Sequence, residues 1–164
     1  MSFITIKENF YAFGIVAFIT VVFIFKKRGI IFILMVAAVV GLNDFICHNI
    51  FKEIFARQRP CHVISELSYL ANCSNSFSFP SNHASNVFTA ATFISLVFRK
   101  TPATIGVVYT FALLVCYSRV YLGAHYPFDV LAGTIFGGLM GFLGYKAYQK
   151  AIILAGIREP VVEQ

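Results

Sequence analysis

The chain alternates long apolar runs with short polar and charged breaks. Residues 10–25 carry no charge and stop at Lys26, Lys27 and Arg28. Residues 29–51 form a second run, interrupted only by Asn43, Asp44, His48 and Asn49 as strongly polar positions. Residues 83–98 form a third, closed by Arg99 and Lys100. Residues 102–118 form a fourth, opened by Pro102, whose fixed φ and missing N–H suit a first helical turn. Residues 127–148 form a fifth, opened by Pro127 and followed by Lys146 and Lys150. Each run approaches the roughly 20 apolar residues that a helix needs to cross a bilayer. The pattern therefore predicts an all-α polytopic membrane bundle of about five to six spans, forming a single domain over 1–164. The polar stretch near 57–82, rich in Ser, Asn, Cys and Pro, reads as a loop, with a short interfacial helix expected near 62–71. The N-terminal run has neither a basic start nor a small-residue cleavage site, so it is not read as a cleavable signal.

Composition agrees with this pattern. Hydrophobic residues make up 59% of the 164 and charged residues 12%, about half the roughly 25% usual in soluble domains. Mean hydropathy is +0.78, and 19 Phe and 8 Tyr are present. So few charges could not cover a soluble domain. A disordered chain, a nucleic-acid module and an ordinary soluble enzyme are excluded. The net charge of +6 is instead distributed as membrane-flanking charge. Lys26, Lys27, Arg28, Arg99, Lys100, Lys146, Lys150 and Arg158 follow the first, third or fifth span, which places those ends in the cytoplasm. The opposite ends hold Lys52, Arg57, Arg59, His83, Arg119, His125 and Asp129. Basic residues there violate the positive-inside pattern unless they have a fixed anionic partner.

Three segments supply that chemistry. Lys52 is followed after six residues by Arg59-Pro60. Pro80-Ser81-Asn82-His83 opens the third span. Ser118-Arg119, His125 and Asp129 join the fourth span to the fifth. Lys52, Arg59 and Arg119 offer three cations, and a guanidinium fork matches phosphate oxygens. Ser81 and the N–H groups of Asn82 and His83 lie at a helix start, where free N–H groups and the dipole favour anions. His125 and Asp129 are spaced i, i+4, so a carboxylate there can fix the imidazole tautomer and leave the other nitrogen as a nucleophile or base. His83 offers a general acid. An anion cradle, a nucleophile and an acid are the parts phosphoryl transfer requires.

The pattern K-x6-RP, PS-x-H, SR-x5-H-x3-D over residues 52–129 resembles the three-part signature of the type 2 phosphatidic acid phosphatase superfamily, in order and in register. Its hydrophobicity resembles the integral-membrane lipid phosphatase branch. The resemblance implies that His125 forms a phosphohistidine, Asp129 orients it and His83 protonates the leaving group. Lys52, Arg59, Ser81, Asn82 and Arg119 would hold the phosphate, with no metal or other cofactor. The implied substrates are lipid A at its 1-phosphate, to which the reading leans, phosphatidylglycerophosphate and undecaprenyl diphosphate. The expected partners are the bilayer and a phospholipid or glycolipid phosphate, with no nucleic acid and no obligate protein. The expected location is a bacterial inner membrane, with the site facing the periplasm. Asn82 stands where the family usually has Gly; Asn tolerates φ > 0 best among other residues, and its side chain is expected to narrow the pocket or contact substrate.

Other features have plainer readings. Arg57 lies outside the motif and is expected to be a snorkelling interfacial anchor. Asp44, His48 and Lys52 recur every four residues, as one stripe leading to the site; for Asp44 a functional role and a structural hydrogen bond stay open. Gly133, Gly137 and Gly141 are expected to pack helices inside the bundle, and Ser85, Thr89 and Thr92 form a similar small face on the third span. The Phe-rich faces are expected to meet lipid. Cys47 and Cys116 sit in spans and are expected to be free, while Cys61 and Cys73 share the outer loop and are expected to form a disulfide if that side is a periplasm. Two rival functions use the same residues: a lipid phosphotransferase, and a non-catalytic phosphate-binding membrane protein.

Overall fold

The computed structural model describes residues 11–64, 73–98 and 101–157. Arg99, Lys100, Arg158, Glu66 and most of the expected interfacial helix near 62–71 lie outside the described residues. Among those described the chain is all helical: α1 Tyr11–Ile46, a π-helical turn Cys47–Phe51, α2 Lys52–Phe55, α3 Pro60–Val63, α4 Asn82–Val97, α5 Pro102–Tyr121 and α6 Pro127–Leu154. Three stretches are long and apolar enough to cross a membrane: Phe23–Val63, Pro102–Tyr121 and Pro127–Leu154. The 16-residue α4 rises only about 24 Å at 1.5 Å per residue, short of a roughly 30 Å hydrocarbon core. The break expected at 26–28 exists as a kink rather than a loop. Lys26 has φ 48° and ψ −128°, so α1 is two helical segments joined at the basic cluster.

Helix α4 is the hub, packed most extensively against α6 and also against α5 and α1. Small residues make this possible. A methyl group built on Gly133 would lie 2.7 Å from the Ser81 carbonyl, one on Gly141 2.5 Å from that of Thr89, and one on Gly137 would overlap that of Ser85. The glycine stripe therefore packs inside the bundle, as the spacing predicts. At one end of the bundle Phe32, Phe93, Tyr148 and Ile152 form an apolar cluster, with ring centroids 5.6–6.3 Å apart. Phe32 and Phe93 thus depart from the expectation of lipid-facing aromatics: they pack against Tyr148 and Ile152 of α6 in the interior. Leu34, Phe45, Leu113, Phe128, Ile135 and Phe142 are exposed, as lipid contact requires. Ala84, Cys116 and Val130 form a second cluster under the polar end.

A polar ladder ties α1 to α4. Asn43 Nδ2 donates to Asn86 Oδ1 (2.6 Å), Ser85 Oγ donates to Asn43 Oδ1 (2.8 Å), and the Cys47 thiol donates to Ser85 Oγ (3.5 Å). Asn82 and Asn86, one turn apart, both donate to Asp44 Oδ1, at 2.9 and 2.8 Å. Of the two readings of Asp44, the structure shows the hydrogen bond. Two amide donors satisfy a carboxylate that would be costly to leave unpaired among helices.

Candidate active site

The π turn decides which side chains reach the polar end. One wider turn rephases the helix, so the expected stripe of Asp44, His48 and Lys52 does not persist. Lys52 is buried, whereas His48 points outward and is exposed. Such turns are frequent at functional sites. Ala56, at φ 43°, then ends α2 by donating its N–H to Lys52 O. Pro60 opens α3, and the intervening Arg57–Arg59 segment crosses the site. Backbone bonds bring the three motif segments together: Cys61 N–H to Gly123 O (3.1 Å), Ser78 N–H to Arg57 O (2.7 Å) and Ser81 N–H to Asp129 O (3.0 Å). Cys61 and Cys73 form the expected disulfide, while Cys47 and Cys116 are free and buried.

The buried cations are held by loop oxygens. Lys52 Nζ donates to Phe77 O (2.8 Å) and Ser76 Oγ (3.3 Å). Arg59 donates through Nε to Ser76 O (2.7 Å), through Nη2 to Ser76 Oγ (3.0 Å) and through Nη1 to Ala124 O (3.0 Å). Arg119, in the last turn of α5, is also buried. Ser81 caps α4, its Oγ accepting from Ala84 N–H (3.5 Å). His83, in the first turn of α4, is exposed and lies within electrostatic reach of Arg119, His125, Arg59 and Lys52.

His125 lies between α5 and α6 and is only 3% exposed. Its Nδ1 is 2.8 Å from the Ser78 carbonyl. A carbonyl can only accept, so the proton is on Nδ1 and the lone pair on Nε2. That lone pair accepts from Arg59 Nη1 at 3.2 Å. Burial holds the imidazole below the ordinary histidine range; the charges of Arg59 and Lys52 add to this, and Asp129 opposes it. The ring therefore stays neutral to a pH below about 6.5.

Two sequence expectations need correction. Asn82 does not turn its side chain to the phosphate site: its amide is drawn to Asp44 on α1, and only its backbone belongs to the helix start. Arg57 is not a free anchor. Its Nη1 pairs with Asp129 Oδ1 at 2.7 Å, and its guanidinium lies 4.0 Å from the Tyr126 ring centroid, an arrangement favourable for cation–π attraction. The buried carboxylate of Asp129 needs a counter-charge, and Arg57 supplies one by direct contact. The sequence also left out Ser76 and Ser78. The alternating Ser-Asn-Ser-Phe-Ser before the second motif was their available signal. Among the described residues one group of three possible metal ligands converges, Cys61, His62 and Cys73, and its two sulfurs are bonded to each other.

A neutral imidazole with a free Nε2, surrounded by buried cations and a helix start, is suited to attack an anionic phosphorus centre. The chain is 36% identical over 124 residues to a lipid A 4'-phosphatase of Bacteroides thetaiotaomicron, covering 73% of this chain and 55% of that protein. It is 33% identical over 121 residues to an undecaprenyl-diphosphatase of Sulfolobus acidocaldarius, covering 74% and 55%. The chain thus spans about half the length of these curated relatives. The crystal structure of a transmembrane PAP2-type phosphatidylglycerolphosphate phosphatase from Bacillus subtilis superposes with a TM-score of 0.58 at 27% identity, covering 87% of this chain and 71% of that one. The sequence matches the PAP2 superfamily over residues 28–153, and this membrane protein belongs to that superfamily.

Proposed function

We propose that the chain is a metal-independent lipid phosphatase working through a phosphohistidine. The observation that carries this reading is His125 Nε2, unprotonated, buried and facing Arg59. The Nε2 lone pair attacks phosphorus while the bond to the lipid oxygen breaks, and His83 gives its proton to that oxygen. Water then attacks phosphorus and gives a proton to His83, while the phosphorus–nitrogen bond breaks, its electron pair returns to Nε2 and inorganic phosphate leaves. Lys52, Arg59, Arg119, Ser81 and the backbone of Asn82 neutralise the three non-bridging oxygens throughout. The site opens outward, on the periplasmic face of a bacterial inner membrane.

An apolar groove beside the site supports a lipid substrate. It has a volume of about 400 Å³ and is lined by Phe51, Phe55, Phe79, Phe128, Ala132 and Phe136, among others. That is the size of a small-ligand site. Phe79 and Pro80 of its wall directly precede Ser81 of the cradle. Filling the groove with Ala132→Trp is expected to raise KM for a long-chain lipid phosphate about tenfold relative to a short-chain, water-soluble phosphomonoester. The basis is roughly 0.8 kcal/mol per displaced methylene, with two displaced. An equal change for both substrates would refute a tail in this groove.

Among substrates the lipid A phosphates rank first. The 4' position moves ahead of the 1-phosphate favoured from sequence, because two of the similar proteins are lipid A 4'-phosphatases. The deciding assay is phosphate release by the purified protein with EDTA present, from lipid A, phosphatidylglycerophosphate, undecaprenyl diphosphate and phosphatidic acid. Release from one of these lipids is expected. Release from none, or only with added metal, would overturn the proposal.

A further inference from the structure

We infer that Ser78 is a positioning residue, and that Asp129 orients His125 through it. This inference rests on the phosphohistidine reading. His125 Nδ1 stands 3.8 Å from Asp129 Oδ2, beyond hydrogen-bond distance. The acceptor actually in place is the Ser78 carbonyl, at 2.8 Å. Ser78 is fully buried and held at two further points. Its N–H donates to Arg57 O (2.7 Å), and its Oγ donates to Asp129 Oδ2. The carboxylate accepts three hydrogen bonds: Oδ2 accepts from Ser78 Oγ and from Tyr126 N–H (2.9 Å), and Oδ1 accepts from Arg57 Nη1 (2.7 Å).

The arrangement separates two effects that one aspartate–histidine contact would combine. The imidazole receives a neutral carbonyl, which fixes the Nδ1–H tautomer. The negative charge of Asp129 is paired with Arg57, which weakens its pull on the ring. A carboxylate directly on Nδ1 would favour the imidazolium and remove the Nε2 lone pair. The charged groups around His125 are Asp129 from α6, Arg59 and, behind Asp129, Arg57 from the α2–α3 segment, Lys52 from α2, His83 from α4 and Arg119 from α5. All but Asp129 and His83 are cations that oppose protonation, so releasing Asp129 is the change that favours it. Removing either restraint on Asp129 raises the pH at which the ring gains its proton.

The test is the pH dependence of kcat/KM for phosphate release from a lipid phosphate, in wild type, Ser78→Ala, Asp129→Asn, their double variant and Arg57→Gln. The wild-type acid limb is expected below the ordinary histidine value. Ser78→Ala keeps the backbone carbonyl but loses the hydroxyl bond. It is expected to lower kcat about tenfold and to move the acid limb up by about one pH unit. Arg57→Gln is expected to move the limb in the same direction. The double variant is expected to be no slower than Asp129→Asn, because both changes cut one path. An unmoved limb in Ser78→Ala, or losses that multiply in the double variant, would reduce Ser78 to a structural role and overturn the inference. Should Ser78→Ala fail to fold, an unmoved limb in Arg57→Gln, at a partly exposed site, overturns it equally. His125→Ala runs alongside. Turnover by that variant would defeat the phosphohistidine reading itself, whereas an inactive His125→Ala with an unmoved Ser78→Ala limb would defeat only this inference.

Discussion

His125→Ala is expected to abolish phosphate release, by about 10⁴-fold or more, while leaving lipid phosphate bound. The reason lies in the division of labour at the site. His125 carries the one lone pair facing Arg59 across the cradle. The cations proposed to neutralise phosphate charge sit on other segments, and they are held by oxygens of Ser76, Phe77 and Ala124 rather than by the imidazole alone. Truncating His125 therefore removes the nucleophile and spares the cradle. Phosphate release and equilibrium binding of the same lipid, measured on one preparation, check both halves. Turnover near the wild-type rate would exclude the mechanism. It would favour a binding protein, for which Arg59→Ala and Arg119→Ala would be the damaging changes. Phosphate appearing on an acceptor lipid, with none in solution, would mark a transferase using the same histidine.

Gly137→Ala is expected to give the largest loss of stability from a single methyl group. The new carbon would overlap the Ser85 carbonyl. A backbone carbonyl in mid-helix cannot turn away, so α4 and α6 must separate. Overpacking of this kind costs about 1–3 kcal/mol. The damage extends to function, because the same pair of helices carries Ser81 and His83 on one side and Asp129 on the other. Gly138→Ala is the matched control. Its added carbon finds its nearest neighbour, Thr92 Oγ1, at 4.0 Å, and a change within about 0.5 kcal/mol is expected. Thermal unfolding in detergent, followed by exposure of the buried Cys47 and Cys116 thiols, measures both. Equal midpoints for the two variants would refute the close-packed glycine face.

Much of this architecture is legible in the sequence because it depends on local pattern. Proline placement gives the starts of α5 and α6 to the residue, while the helices run three and six residues past the ends of the apolar runs. The three motifs give Lys52, Arg59, Ser81, His83, Arg119, His125 and Asp129, and the structure gathers them at one end of the bundle. What the sequence does not reveal depends on contacts between segments. Arg57 lies two residues from a motif arginine, and only the fold shows that the Asp129 carboxylate lies within its reach. Ser78 meets His125 with its backbone carbonyl and Asp129 with its hydroxyl, a double contact between segments that only the fold shows. Asn82 turns to Asp44 because α1 and α4 touch there, a distance invisible in either helix alone. The change of phase between Asp44 and Lys52 comes from a single π turn, which an unbroken 3.6-residue period cannot anticipate.

The polar ladder between α1 and α4 also bears on how the protein enters the membrane. The second half of α1 carries Asn43 and Asp44 and leaves the ribosome about 40 residues before the amides of Asn82 and Asn86 that satisfy the carboxylate. An aspartate at the centre of an isolated helix costs about 2.5–3.5 kcal/mol on insertion scales. The strongly apolar residues around it, with a mean hydropathy of 2.5 over the best window of that span, outweigh this cost. The helix is thus held in the bilayer with an unsatisfied acid until its partner arrives. Docking of α4 therefore matters to insertion as well as to the site: a chain in which α4 fails to dock presents a bare carboxylate to lipid.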